Sequence, residues 1–199
     1  MERYAEMKET IKEYRIERIK IKTEYLNRNY NQLNLSLFSM LDSMIQQENV
    51  MQQTEKQGRI KNLVFLHLLT SGYTESYEVA VGMCSSMLYL DENMNYLYWK
   101  PEFIYDNIED DTARIRKMIQ KTYVHTEEYE ILRLKQELLF DDWKLFCDIL
   151  KKMSDEILKR VAASTLQLEN KIQILCGNYM DKLNIVHHIC TADYQRRTE

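Results

Sequence analysis

The side chains of this chain that come nearest to a metal-ligating set are Cys176, His187, His188 and Cys190. On a helix Cys176 and His187, eleven residues apart, would share a face and Cys190 would lie one turn beyond, and thiolate with imidazole suits a soft ion. The plainer reading is preferred: the cysteines pack as small hydrophobes and the adjacent histidines point apart. No metal and no cofactor is expected. A bundle-type di-metal site needs Glu-x-x-His steps so that carboxylate and imidazole meet one ion, yet Val64, Thr122, Asn184 and Ile185 stand three residues before the four histidines. His-Glu-x-x-His and Cys-x-x-Cys spacings are missing as well.

Other reactive constellations fail similarly. His125-Thr126-Glu127 lacks the Pro-Cys-x-x-Cys partner of a zinc deaminase. Neither Cys84 nor Ser85-Ser86 carries a nucleophile elbow. Arg116 and His125 are nine apart, which does not match the Arg and His spacing of helical endoribonucleases. The acidic run Asp106, Glu109, Asp110 and Asp111 reads as first-turn chemistry that favours the positive end of a helix dipole. An enzyme is therefore not expected.

Partner chemistry is more legible. Arg15, Arg18 and Lys22 could track phosphates, but Glu13, Glu17 and Glu24 interleave with them, which favours a salt-bridged helix face over nucleic-acid contact. Between residues 61 and 111 two basic residues face nine acidic ones, a local charge of −7, which favours a basic protein partner. Residues 73–105 also hold eight of the twenty-one aromatic residues. Tyrosine and tryptophan are enriched at interface hot spots, so Tyr89, Tyr96, Tyr98 and Trp99, rimmed by Glu92 and Glu102, are the candidate partner-binding residues.

The elements that would position these groups follow from composition and period. The chain has 199 residues, 45% apolar and 29% charged with net charge −4, and only four glycines and one proline, so it reads as α-rich. No apolar run reaches the ~20 residues of a membrane span, and no leader-like core opens the chain; a cytoplasmic location with reduced thiols is expected. Tyr4, Met7, Ile11, Tyr14, Ile21 and Tyr25, with Arg18 in the missing place, form a heptad-like seam that predicts one long helix or two collinear ones over 2–52. A helix over about 55–71 is predicted from Ile60, Leu63, Val64, His67 and Leu68, ending at Ser71-Gly72. Strand spacing at Tyr77, Val79, Val81 and Met83, followed by Met87–Leu90 and Tyr96–Trp99, predicts a small antiparallel meander. Pro101 is expected to start a short helix. Two further helices are predicted, from Asp110 to about Tyr123 and over 127–190. The latter is broken near 162–165, where Ser164 and Gln167 have capping-box spacing, and its second part carries Leu168, Ile172, Leu175, Tyr179 and Leu183 on one seam.

The fold class expected is mainly α: an elongated antiparallel helical bundle with coiled-coil-like long helices and an inserted antiparallel β meander at about residues 76–99. It would form a single elongated domain over 1–199, with residues 73–106 as an acidic aromatic module. The function expected is non-catalytic protein–protein interaction, as an adaptor, assembly or scaffold subunit acting through long amphipathic helices and the acidic aromatic surface, with a homo-oligomer allowed. A helical small subunit of a nucleoprotein complex, and a helical-bundle enzyme whose site is assembled from distant residues, are the alternatives.

Overall fold

A computed structural model describes residues 2–192. The chain divides into two compact units, one built from the chain up to Asn31 with Glu102–Phe146, the other from Gln32–Pro101 with the chain from Cys147 onward. Residues 73–106 are thereby divided between them. The expected bundle with a small meander is not what forms: 57% of the described residues are helical, six helices lie among them, and a five-stranded mixed sheet holds 20%.

From Glu2 to Gln53 the chain is almost uninterrupted helix, α1 (Glu2–Thr10), α2 (Lys12–Arg28) and α3 (Tyr30–Gln53). Single residues separate them, and at each the ladder persists, Ile11 N–H donating to Met7 O and Asn29 N–H to Tyr25 O. The buried face of α2 is not the expected seam. Ile21 is 59% exposed, whereas Arg18, Lys22 and Leu26 are buried. Arg18 keeps its place on the seam, but Lys22 is buried in place of Ile21, because Asp142, on the long helix from Glu128, offers both cations a buried carboxylate.

That long helix starts as expected, but Pro101 opens a series of turns and no helix. In the first unit α5 (Ile108–Thr122) buries Ile108, Ile115 and Ile119. Together with Met7, Ile11, Ile131, Leu134, Leu138 and Trp143 they form its core.

In the second unit the predicted helix over 55–71 is instead strand β1 (Ile60–His67), followed by a one-turn helix α4 (Ser71–Thr74). A short apolar run has no decisive period of its own. Here seven of its eight residues are buried, because it is the central strand. The predicted meander supplies only two strands, β2 (Val79–Cys84) and β3 (Asn95–Trp99), and Leu88–Leu90 between them is a 3₁₀ turn. The largest correction concerns residues after 162. Helix α6 (Glu128–Ala162) ends beside Ser164, but the chain continues as the hairpin β4 (Leu168–Asn178) and β5 (Leu183–Cys190) and not as a helix. The order is β3-β2-β1-β4-β5, with β1 and β4 parallel and every other pair antiparallel.

One face of this sheet is packed on helices. Trp99 Nε1 donates to Ser36 Oγ of α3 at 3.2 Å, and Cys176 of β4 meets Cys147 of α6. Across the helices, Arg160 holds Asp42 with two hydrogen bonds of 2.7 and 2.6 Å. The other face carries Val64, Leu66, Ala80, Cys84 and Leu175, covered in part by Leu88, Tyr89, Met94, Tyr96 and Leu183. Gly82 lies among them. A Cβ there would meet Asn95 O and Met94 Cε, both at 2.9 Å. Since one of those atoms is backbone of the neighbouring strand, Gly82→Ala is expected to force β2 and β3 apart and cost about 1–3 kcal/mol, measured as a lowered urea midpoint.

Candidate partner-docking face

Register decides which aromatic residues reach solvent. Val64 pairs with Gly82 and Leu175, and Gly82 with Tyr96, while Leu66 pairs with Ala80, and Ala80 with Tyr98. Tyr96 and Tyr98 therefore stand on the face away from the helices, and Trp99, one residue on, points to the opposite face. Trp99 is accordingly buried, 7% exposed, whereas Tyr98 is 61% exposed. Of the other sequence candidates, Tyr89 is half-buried on the same face as Tyr98, Glu92 is exposed beside it in the loop after the 3₁₀ turn, and Glu102 falls in the other unit.

Tyrosines organise the outer face. Tyr179, in the β4–β5 turn, meets Tyr89 and Tyr96 edge-on, with ring centroids 5.9 and 6.1 Å apart, a geometry favoured by the ring quadrupole. The Tyr89 hydroxyl accepts from Met180 N–H at 3.2 Å and donates to Asn178 O at 3.5 Å, tying the 85–94 loop to the hairpin. Burial raises the phenol pKa values of Tyr89 and Tyr96, so both rings remain neutral donors. Spacing alone puts Tyr179 on a helical seam, and only the sheet register reveals its partners.

Around this cluster large apolar side chains face water: Met87, Leu90, Tyr98, Tyr179, Met180 and Ile185, each between 47% and 75% exposed. Acidic groups stand at the rim. Asp91 accepts from Ser85 N–H at 2.8 Å, which anchors the loop, and Asp181 accepts from Lys182 N–H at 2.7 Å in the hairpin turn. Two backbone conformations are costly. Leu88 has φ 51° and Met180 φ 58°, a region that bulky residues rarely occupy. Met180 holds the third position of the turn closed by Asp181 N–H donating to Asn178 O, a place that a positive φ reserves for glycine in most proteins. Met180→Gly is expected to raise stability by about 1 kcal/mol, seen as a higher thermal midpoint; a fall would show that the thioether packs.

A second concavity lies wholly within the first unit, a cleft of about 650 Å³ lined by Tyr14, Arg18, Lys22, Tyr25, Phe103 and Asp111 among others. Its two buried cations are already committed. Arg18 holds Asp142 through two bonds of 2.8 Å and Asp111 through a third of 2.5 Å, and Lys22 Nζ lies 2.9 Å from Asp142. Burial pulls the Lys22 ammonium pKa down despite Asp142. The Tyr14 hydroxyl also donates to Asp111. These groups satisfy one another, and Arg114, also on the lining, lies over the Tyr14 ring.

The shared helix face that spacing suggests for Cys176, His187, His188 and Cys190 does not form, since all four lie on the β4–β5 hairpin. His187 approaches Asp155 of α6 at 3.8 Å, and Cys190 is exposed. Among the described residues no group of three or more His, Cys, Asp or Glu is placed to hold a metal ion, and no helix is long and apolar enough to cross a membrane. Compared with protein-family models, curated proteins and solved structures, the chain matches none.

Proposed function

We propose that this protein is a non-catalytic interaction subunit that docks a basic segment of a partner protein on the outer face of its sheet. The observation that carries the reading is the pair of exposed Tyr98 and Ile185 on a sheet face whose opposite side is packed on helices, with exposed Leu90 and Met180 in the two turns that flank it. Exposed apolar groups gathered on one face of a fold mark interaction sites. Charge selects the partner. Asp91 and Glu92 in the loop after the 3₁₀ turn and Asp181 in the hairpin turn stand at its rim, so lysine or arginine flanking an apolar anchor is the complementary chemistry.

The test uses synthetic peptides that share an apolar anchor and differ in net charge. Basic peptides are expected to bind the intact protein, more weakly at high salt, with acidic counterparts failing. Tyr98→Ala is expected to weaken binding at least tenfold and leave the thermal midpoint unchanged, because the ring is mostly in water. Trp99→Ala is unsuitable for this purpose, since that ring is part of the core. Equal binding of basic and acidic peptides, indifference to Tyr98→Ala, or tighter binding of single-stranded RNA than of any peptide would overturn the reading.

A further inference from the structure

Four thiols are free in this chain, and two of them meet. Cys147 of α6 and Cys176 of β4 are 29 residues apart in sequence, and their Sγ atoms lie 3.4 Å from each other. We propose that Cys147 and Cys176 form a peroxide-oxidisable dithiol, in which Cys147 is the attacking sulfur and Cys176 the resolving one. The roles follow from burial. Cys176 is 4% exposed beneath the helix, whereas Cys147 is half-buried and is the more accessible residue of the two. Between two thiols in contact, the first to ionise keeps the other's S–H as a hydrogen-bond donor. That bond lowers the Cys147 pKa and, with burial, raises that of Cys176.

The remaining cysteines lack this arrangement. Burial pushes the Cys84 thiol up to about 12, which leaves almost no thiolate near neutrality. Cys190 is exposed on β5, opposite Lys171 in the sheet register.

The chemistry balances with hydrogen peroxide as the oxidant. The Cys147 thiolate attacks one peroxide oxygen, the O–O bond breaks, and the departing oxygen leaves as water, carrying the thiol proton and its own hydrogen. Cys147 is then a sulfenic acid. Cys176 attacks that sulfur, an S–S bond forms, the S–O bond breaks, and the hydroxyl leaves as a second water with the Cys176 proton. In total two thiols lose two electrons to one peroxide and give one disulfide and two waters. The bond would tie α6 to β4 within the helix-packed face of the sheet.

The full-length protein, exposed to a slight excess of hydrogen peroxide, denatured and alkylated with N-ethylmaleimide, tests this by mass spectrometry. The expected product takes up two maleimides in place of four and yields one cross-linked peptide pair joining Cys147 to Cys176. Cys176→Ser is expected to halt the sequence at the sulfenic acid, captured on Cys147 by dimedone, and Cys147→Ser to take up three maleimides after treatment. Four maleimides on the treated wild-type chain, a cross-link to Cys84 or Cys190, or oxidation of Cys147 straight to the sulfinic acid would overturn the proposal. The wild-type measurement decides by itself if a serine variant fails to fold.

Discussion

Asp142→Ala is expected to lower the stability of the first unit by about 3–5 kcal/mol, the scale set by a buried ion that loses its partner. Asp142 is fully buried and anchors two cations, accepting twice from Arg18 and once from Lys22. Removing it leaves Lys22 buried without its anion, while Arg18 keeps only its bond to Asp111. A buried ion without a counter-ion costs far more than the pair is worth, since the pair's mutual attraction is largely spent on its own desolvation. The same reasoning predicts that replacing the three together, Arg18→Met, Lys22→Leu and Asp142→Leu, restores most of the loss. Urea titrations of the wild type, the single variant and the triple variant measure both. A single-variant loss below about 1 kcal/mol would mean that water screens the network as it screens surface pairs.

Glu48 should make stability fall as the pH rises. The residue is fully buried on α3, and neither carboxylate oxygen finds a hydrogen-bond partner among the described residues. Burial, with Asp91 adding to it and the Gln57 amide offsetting only a part, raises its pKa from 4.5 to about 7. Below pH 4.5 the carboxyl is protonated whether folded or not and carries no penalty. Between pH 4.5 and 7 the unfolded chain ionises first, and stability is lost progressively; above 7 the loss is constant at roughly 3 kcal/mol. Glu48→Gln removes this component. Its stability relative to wild type is expected to be close to zero at about pH 4 and to rise to about +2 to +3 kcal/mol at about pH 8. A difference that does not change with pH would show that the carboxylate is hydrated in the folded protein.

Gln52, one helical turn further along α3, shows how a buried polar group on the same helix face can be satisfied. It donates to Gly58 O and Gln167 O and accepts from Gln167 N–H, so its burial needs no charge. Of such neighbours Glu48 has only the Gln57 amide near it, and no hydrogen bond among the described residues, which makes it a buried carboxylate whose neutral replacement is expected to stabilise.

Much of the helical content was legible in the residues because it depends on near neighbours. The run over 2–52, the start of α5 at an acidic first turn and the end of α6 before Ser164 all follow from spacing and cap chemistry. The turn character of Asp91–Asn95 was likewise readable, since aspartate and asparagine bond their own backbone. Strand β1 and the β4–β5 hairpin were not. Each contains apolar residues at distances that suit a helix and a strand alike, and the strand is selected by the parallel pairing of β1 with β4, which are far apart in the chain. Ile60 N–H, for example, donates to Gln167 O.

The residues alone determined that an acidic, tyrosine-rich segment exists and that no recognisable catalytic motif accompanies it. Only the tertiary structure decided its orientation. Whether Tyr98 or Trp99 faces water depends on which strand lies beside β3 and in what register, because the pleat turns successive side chains to opposite faces. In the same way, the pairing of Cys147 with Cys176 and of Arg18 with Asp142 joins residues whose local sequence gives no sign of the other. Such contacts arise where packed elements cross, and a one-dimensional pattern holds no record of that crossing.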